Sequence, residues 1–200
     1  MNGVRRATEN DLPALTQMLG RAFVDDPIMA WACRSAALRP TLLEVIDRTR
    51  LRQLLAYGET WITSESTSAA LWTPPGHGGM SFPQNAILAR GLLHPRLLAC
   101  LPKLALGLTC MQRRHPHKPH HWYLSRIGTD PDAQGRGLGS AVLQPVLETC
   151  DSDGVGAYLE TSVERNLSFY ARHGFRTSGE LRLPRGPTVW TMWREPRISR

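Results

Sequence analysis

Apolar positions recur at helical spacing early in the chain. Leu12, Leu15, Met18, Leu19, Ala22 and Phe23 fall on one face after a candidate N-cap at Asn10 or Asp11, with Pro13 in the first turn. Val4 to Ala7 before them reads as a short strand, and Asp25, Asp26 and Pro27 end the helix. A second helical pattern runs from Thr41 to Tyr57 and closes at Gly58. The pattern then changes period. Trp61 to Thr63 and Ala69 to Thr73 read as two hairpin strands around the polar run Ser64–Ser68. Residues 83–114 return to a helical period broken by Pro95 and Pro102, and the polar run Arg113 to His121 ends that region.

The second half alternates more regularly. Trp122 to Thr129 reads as a strand, Asp130-Pro131-Asp132 as a turn, and Gly135-Arg136-Gly137-Leu138-Gly139 as the entrance to a helix. Leu138, Val142, Val146, Leu147 and Cys150 share a face of that helix, and Pro145 inside it predicts a kink. Val155 to Ser162 is the next strand, Asn166 to His173 a short helix stopped by Gly174, and Phe175 onward and Thr188 to Trp193 two further strands. Strands and helices alternating around a Gly-rich turn predict an α/β chain with a mixed sheet. At 200 residues, one domain is the expectation.

Composition narrows the classes. A hydrophobic fraction of 42% and a charged fraction of 20% exclude a disordered or fibrous chain. The net charge is +7, and 22 of the 24 cations are Arg, but they are scattered, which argues against a nucleic-acid partner. Leu97 to Leu108 is too short and too polar for a bilayer span, so no membrane partner is expected. Cys33, Cys100, Cys110 and Cys150 form no C-x-x-C pair, and the N-terminus has no apolar signal core. A cytoplasmic protein with reduced thiols is the expectation. His115, His117, His120 and His121 are interrupted by two prolines with no carboxylate or thiol nearby in sequence, and they read as a solvated loop rather than a metal site.

The Gly-rich turn fails two phosphate motifs. Its glycines stand at offsets 0, 2 and 4 rather than 0, 2 and 5, and no Gly-Lys-Ser/Thr follows. Its physics still suits an anion, because N–H groups converge at a helix N-terminus beside Arg136. The run Gln134-x-x-Gly137-x-Gly139 resembles the acyl-CoA pyrophosphate loop of the GNAT superfamily of N-acetyltransferases. Glu160-Thr161-Ser162, Asn166, and Phe169 through Phe175, about thirty residues on, resemble the second half of that superfamily's pattern. Within the superfamily the resemblance is closest to the puromycin N-acetyltransferase-like branch. It rests on Trp122-Tyr123-Leu124, Arg165-Asn166-Leu167 and Gly186-Pro187 before Trp190.

The resemblance implies a mixed, largely antiparallel sheet flanked by helices. Its central strands, 122–129 and 155–162, splay apart. Residues 122–195 would form the acyl-CoA half and 83–118 a helical insertion near the acceptor. The implied reaction moves an acetyl group from acetyl-CoA to a primary amine of a small molecule, directly and in a ternary complex. A non-catalytic acyl-CoA-binding regulator and a protein or peptide acetyltransferase are the alternatives. The chain would act as a monomer or homodimer and need no metal.

Residues follow by position. Gln134, Gly135, Arg136, Gly137, Leu138, Gly139 and Ser140 would hold the pyrophosphate, and Ile127, Gly128 and Thr129 the pantetheine arm as an added strand. Asn166 is either a contact to that arm or a helix N-cap. Tyr170 matches the tyrosine beside the thioester sulfur; a core aromatic between Phe169 and Phe175 is the plainer role. Glu160 is a candidate base or an Arg partner. His121 and Tyr123 share one strand face and could meet the acceptor, and Asp25 or Asp26 could attract a cationic amine or simply end the helix.

Overall fold

The computed structural model describes residues 3–77, 90 and 92–197. Seven strands form one sheet in the order β1-β2-β3-β4-β5-β7-β6. They are β1 (Val4–Arg6), β2 (Thr60–Thr63), β3 (Ser68–Thr73), β4 (Trp122–Thr129), β5 (Ala157–Thr161), β6 (Arg176–Arg182) and β7 (Thr188–Arg194). Only the central β4–β5 pair is parallel. The helices are α1 (Leu12–Phe23), α2 (Pro27–Ala32), α3 (Arg39–Ala56), α4 (Leu101–Arg114), α5 (Leu138–Asp153) and α6 (Asn166–Arg172).

Two layers cover the sheet. On one face Val142, Leu143, Val146, Leu147 and Cys150 of α5 and Tyr170 of α6 pack on Trp72, Trp122, Leu124 and Leu159. On the other face Leu15, Met18 and Leu19 of α1 and Leu51 and Leu54 of α3 pack on Ile62, Ala69 and Leu71. A third cluster joins Trp31, Leu42, Leu97 and Leu104 to Leu183 and Val189 around β6 and β7.

The β4–β5 pairing stops early, at Leu124↔Leu159. The cause lies in the neighbouring register. β3 and β4 pair as Leu71↔Arg126 and then Trp72↔Leu124, so Ser125 is an extra residue on β4. The faces agree. Leu124 and Ile127 belong to the α5-side core, whereas Arg126 lies over Phe23 on the α1 side. A bulge bends its strand and increases the local twist, which turns the end of β4 away from β5. The expected splay is present, and the bulge is its physical origin.

Two local expectations change. Asp26 does more than end α1. It is the N-cap of α2, a helix absent from the hydrophobic pattern, accepting from the N–H groups of Ile28 at 2.9 Å and Met29 at 3.2 Å. The 83–114 stretch becomes a 3-10 turn (Pro95–Cys100) followed by α4, while positions 83–89 lie outside the described residues. α5 runs on through Pro145, which supplies no N–H to the Ala141 carbonyl.

Candidate active site

The Gly-rich turn is shaped as the sequence predicts. Gly135 and Gly137 have φ of 77° and 76°, the left-handed region, and Gly137 is the N-cap of α5. A Cβ at either would meet nothing within 4 Å, so their outer side is open to an approaching group. The first N–H groups of α5 have no intrahelical acceptor and point the same way. Gly139 is small for a different reason. Its Cβ would stand 3.3 Å from the Phe169 ring, so it lets α6 pack against α5.

Side chains brace the turn. Asp130 caps the short turn at Pro131–Ala133 and is ion-paired with Arg21 of α1, whose guanidinium holds its carboxyl below the usual range. The Gln134 amide donates to the Thr129 carbonyl at 3.3 Å, and Arg136 to that of Asp132 at 3.0 Å. The Ser140 hydroxyl is engaged with His173 Nε2 at 2.9 Å, leaving its backbone N–H for a ligand.

From this turn the splayed edge of β4 leads inward. Ile127, Gly128 and Thr129 pair with Ala70, Ala69 and Ser68 on one side and with nothing in β5 on the other. An extended amide-bearing chain would complete that edge. Gly128 itself answers to packing, since a Cβ there would lie 2.8 Å from Leu19. Asn166 is the first residue of α6, with Arg165 as the N-cap, so the capping role is corrected. Its side-chain amide makes no hydrogen bond among the described residues.

Two clusters border the gap. At the end of β5, the Ser162 hydroxyl donates to Asp26 Oδ2 at 3.0 Å. Tyr170 approaches from the α5 side of the sheet. It packs in the core beside Phe169 and Phe175, and its hydroxyl makes no hydrogen bond among the described residues. Burial, then the nearby Asp26 charge, pushes its phenol well above the ordinary value, so it stays protonated. Arg126, ion-paired with Asp47, is pulled down to about 10 by burial, an effect that Asp26 opposes. Asp25 differs from Asp26. Its side chain is 89% exposed and, among the described residues, reaches only Arg39, at 3.3 Å.

The second cluster centres on Glu160, whose side chain is 5% exposed. Tyr123 donates to its Oε2 at 2.8 Å and Tyr158 to its Oε1 at 3.1 Å. Burial, then the Glu160 charge, raises both phenols well above their ordinary range. The expected Arg partner is replaced by His115, whose Nδ1 stands 3.6 Å from Oε1. His115 packs edge-on against Tyr123 and Tyr158, with ring centroids 4.7 and 5.0 Å away. His121 is buried beside them, with its Nδ1 2.8 Å from the Pro119 carbonyl oxygen, and burial lowers its pKa. The solvated histidine loop is corrected in part: His117 and His120 are exposed, whereas His115 and His121 turn inward toward Glu160. No metal-competent group of three or more His, Cys, Asp or Glu exists among the described residues.

Apart from Asp25, the predicted residues fall at the turn, along the edge of β4 or in one of the two clusters. Tyr158, Glu160 and Ser162 alternate along one face of β5, which joins the two clusters. Tyr158 was legible from that period. His115 was not, being 45 positions from Glu160 with no motif linking them.

Residues 94–175 match the model of the "Acetyltransferase (GNAT) family". Over that segment the chain is similar to the GNAT acetyltransferases. A curated relative, an uncharacterized N-acetyltransferase of Schizosaccharomyces pombe, is 23% identical over 185 residues, covering 86% of this chain and 73% of the relative. Among solved structures, a Corynebacterium glutamicum protein described as histone acetyltransferase HPA2 and related acetyltransferase superposes with a TM-score of 0.67. It is 23% identical, and the match covers 98% of this chain and 97% of the other. A polyamine N-acetyltransferase of Drosophila melanogaster, which forms N-acetylagmatine, gives a TM-score of 0.57 at 18% identity, with 96% and 99% covered. These structural likenesses establish the GNAT fold. No helix among the described residues is long and apolar enough to cross a membrane.

Proposed function

We propose that this protein transfers an acetyl group from acetyl-CoA to a primary amine of a small molecule, directly and without a covalent enzyme intermediate. The observation that carries this reading is the convergence on one gap. A left-handed Gly turn and helix N-terminus stand at its outer end and an unpaired strand edge along it, with Asp26 and the Tyr170 hydroxyl, unbonded among the described residues, at its inner end. Acetyl-CoA, when bound, supplies the acetyl group as a thioester. The backbone of residues 135–140 would hold its pyrophosphate, Ile127 to Thr129 its pantetheine arm, and Asn166 the same arm through its side-chain amide.

Tyr170 carries the proton that the departing sulfur requires. Its raised pKa keeps that proton in place at neutral pH. Asp26 draws the acceptor. Of about four acceptor positions on its carboxylate, two backbone N–H groups and Ser162 use three, leaving one for an ammonium. A compact cationic amine suits this charge, and the Drosophila neighbour acts on polyamines. Glu160 stands behind proton removal from the amine, because an alkylammonium of pKa near 10 is only about 0.1% neutral at pH 7. Within the family we assign the chain to the puromycin N-acetyltransferase-like branch, on its Trp122-Tyr123-Leu124 and Gly186-Pro187 segments.

The test is a panel of amines with acetyl-CoA, followed by free-thiol release and mass analysis of the amine. The expected result is one acetylated amine per CoA released, strongest for cationic substrates. Binding of acetyl-CoA with no transfer to any amine would favour a regulator; transfer to peptides alone would favour a protein acetyltransferase.

A further inference from the structure

The Glu160 cluster contains more than a carboxylate. Both Glu160 oxygens are engaged, Oε2 by Tyr123 and Oε1 by Tyr158, and the side chain is nearly sealed from solvent. With both oxygens occupied by phenols, the carboxylate has little room to meet an ammonium directly. The two phenols keep their own protons and act as fixed donors. What remains is His115, with Nδ1 toward Glu160 and 29% of its side chain exposed.

A carboxylate beside one imidazole nitrogen does two things. It selects the tautomer with the proton on that nitrogen, and it stabilises the imidazolium when the other nitrogen is protonated. His121 has the Pro119 carbonyl at its Nδ1 instead, which fixes the same tautomer but supplies no negative charge to hold an imidazolium. Among the described residues, Glu160 and Tyr158 of β5 and Tyr123 of β4 lie directly against His115. His121 precedes β4, and Arg114 ends α4. Glu160 is the one anion among them.

Resting on the acetyltransferase reading above, we propose that His115 is the group that takes up the proton lost by the acceptor amine, with Glu160 as its orienting partner and Tyr123 and Tyr158 as the clamps on Glu160. In that step one ammonium N–H bond breaks, and its proton passes through water in the gap to Nε2 of neutral His115. The imidazolium is held against the Glu160 carboxylate and then returns the proton to solvent. His115 acts at one remove from the reacting atoms and is a positioning and relay residue.

Two measurements test this. The first needs no substrate: long-range ¹H–¹⁵N NMR of the imidazole above neutral pH. The expected result is a proton on Nδ1 of His115 in the wild type and loss of that preference in Glu160→Gln. A wild-type proton on Nε2 would overturn the dyad. The second uses His115→Ala with an accepted amine. Turnover should fall by about 10²-fold or more, with acetyl-CoA affinity unchanged. Added imidazole should restore it, because the opened space adjoins a cavity of about 310 Å³ that Arg114, Pro116 and Tyr158 line. Wild-type turnover in a folded His115→Ala, or low turnover without rescue, would overturn the relay. If that variant does not fold, His115→Gln decides, with low turnover expected and full turnover contradicting. A wild type that acetylates no amine would refute the function, while the NMR result still judges the dyad on its own.

Discussion

Tyr170 and Asp26 reach the gap from opposite faces of the sheet, and only because β4 and β5 separate there. Removing the Tyr170 hydroxyl while keeping the ring leaves the contacts with Phe169 and Phe175 in place. Tyr170→Phe should therefore lower turnover by about 10²–10⁴-fold, the usual span for a general acid, with calorimetric acetyl-CoA affinity unchanged. Asp26 has two duties that one substitution can separate. Asparagine caps a helix about as well as aspartate, so Asp26→Asn should keep α2 and change stability by less than about 0.5 kcal/mol. The Michaelis constant for cationic amines should rise, and an unchanged constant would remove Asp26 from acceptor binding. At this scale motif spacing in the sequence pointed to Glu160, Tyr170 and Asn166, which lie beside the gap. It carried neither His115 nor the Asp26–Ser162 bond, because contacts across 45 and 136 positions depend on how the sheet folds.

At the scale of elements, the turn before α5 is constrained twice. Gly137 must adopt a left-handed φ, so Gly137→Ala should cost about 1 kcal/mol of stability as well as weaken acetyl-CoA binding, measured by denaturant unfolding and calorimetry. Gly139 is helical but faces Phe169, and its N–H lies at the helix start. Gly139→Asp would bring negative charge to the anion site and should abolish measurable acetyl-CoA binding in a protein that still folds. The strands and the long helices were legible from their periods. The two elements that shape the gap were less so. α2 is six residues with a proline at its start, too short for a periodic signal, and the Ser125 bulge alters register without altering composition.

For the molecule as a whole, the acid limit of stability follows from its carboxylates. Arg5 lowers the pKa of Asp11, Arg21 that of Asp130 and Arg194 that of Asp151, in each case chiefly through a hydrogen bond to the carboxylate. A depressed folded value contributes stability above the ordinary carboxylate range and loses it as pH falls through the folded value. Thermal midpoints should therefore hold down to about pH 5 and drop steadily below about pH 4. Asp151→Ala should be costly even at neutral pH, by about 3–5 kcal/mol, because Arg194 is 2% exposed and would be left unpaired between α5 and β7.

The arrangement of the gap makes the most direct claim of all. A crystal structure with CoA should show the pyrophosphate on the N–H groups of residues 135–140 and the pantetheine arm along Ile127 to Thr129. The sulfur should lie within hydrogen-bond distance of the Tyr170 hydroxyl. CoA bound elsewhere, or a sulfur out of reach of Tyr170, would contradict the account.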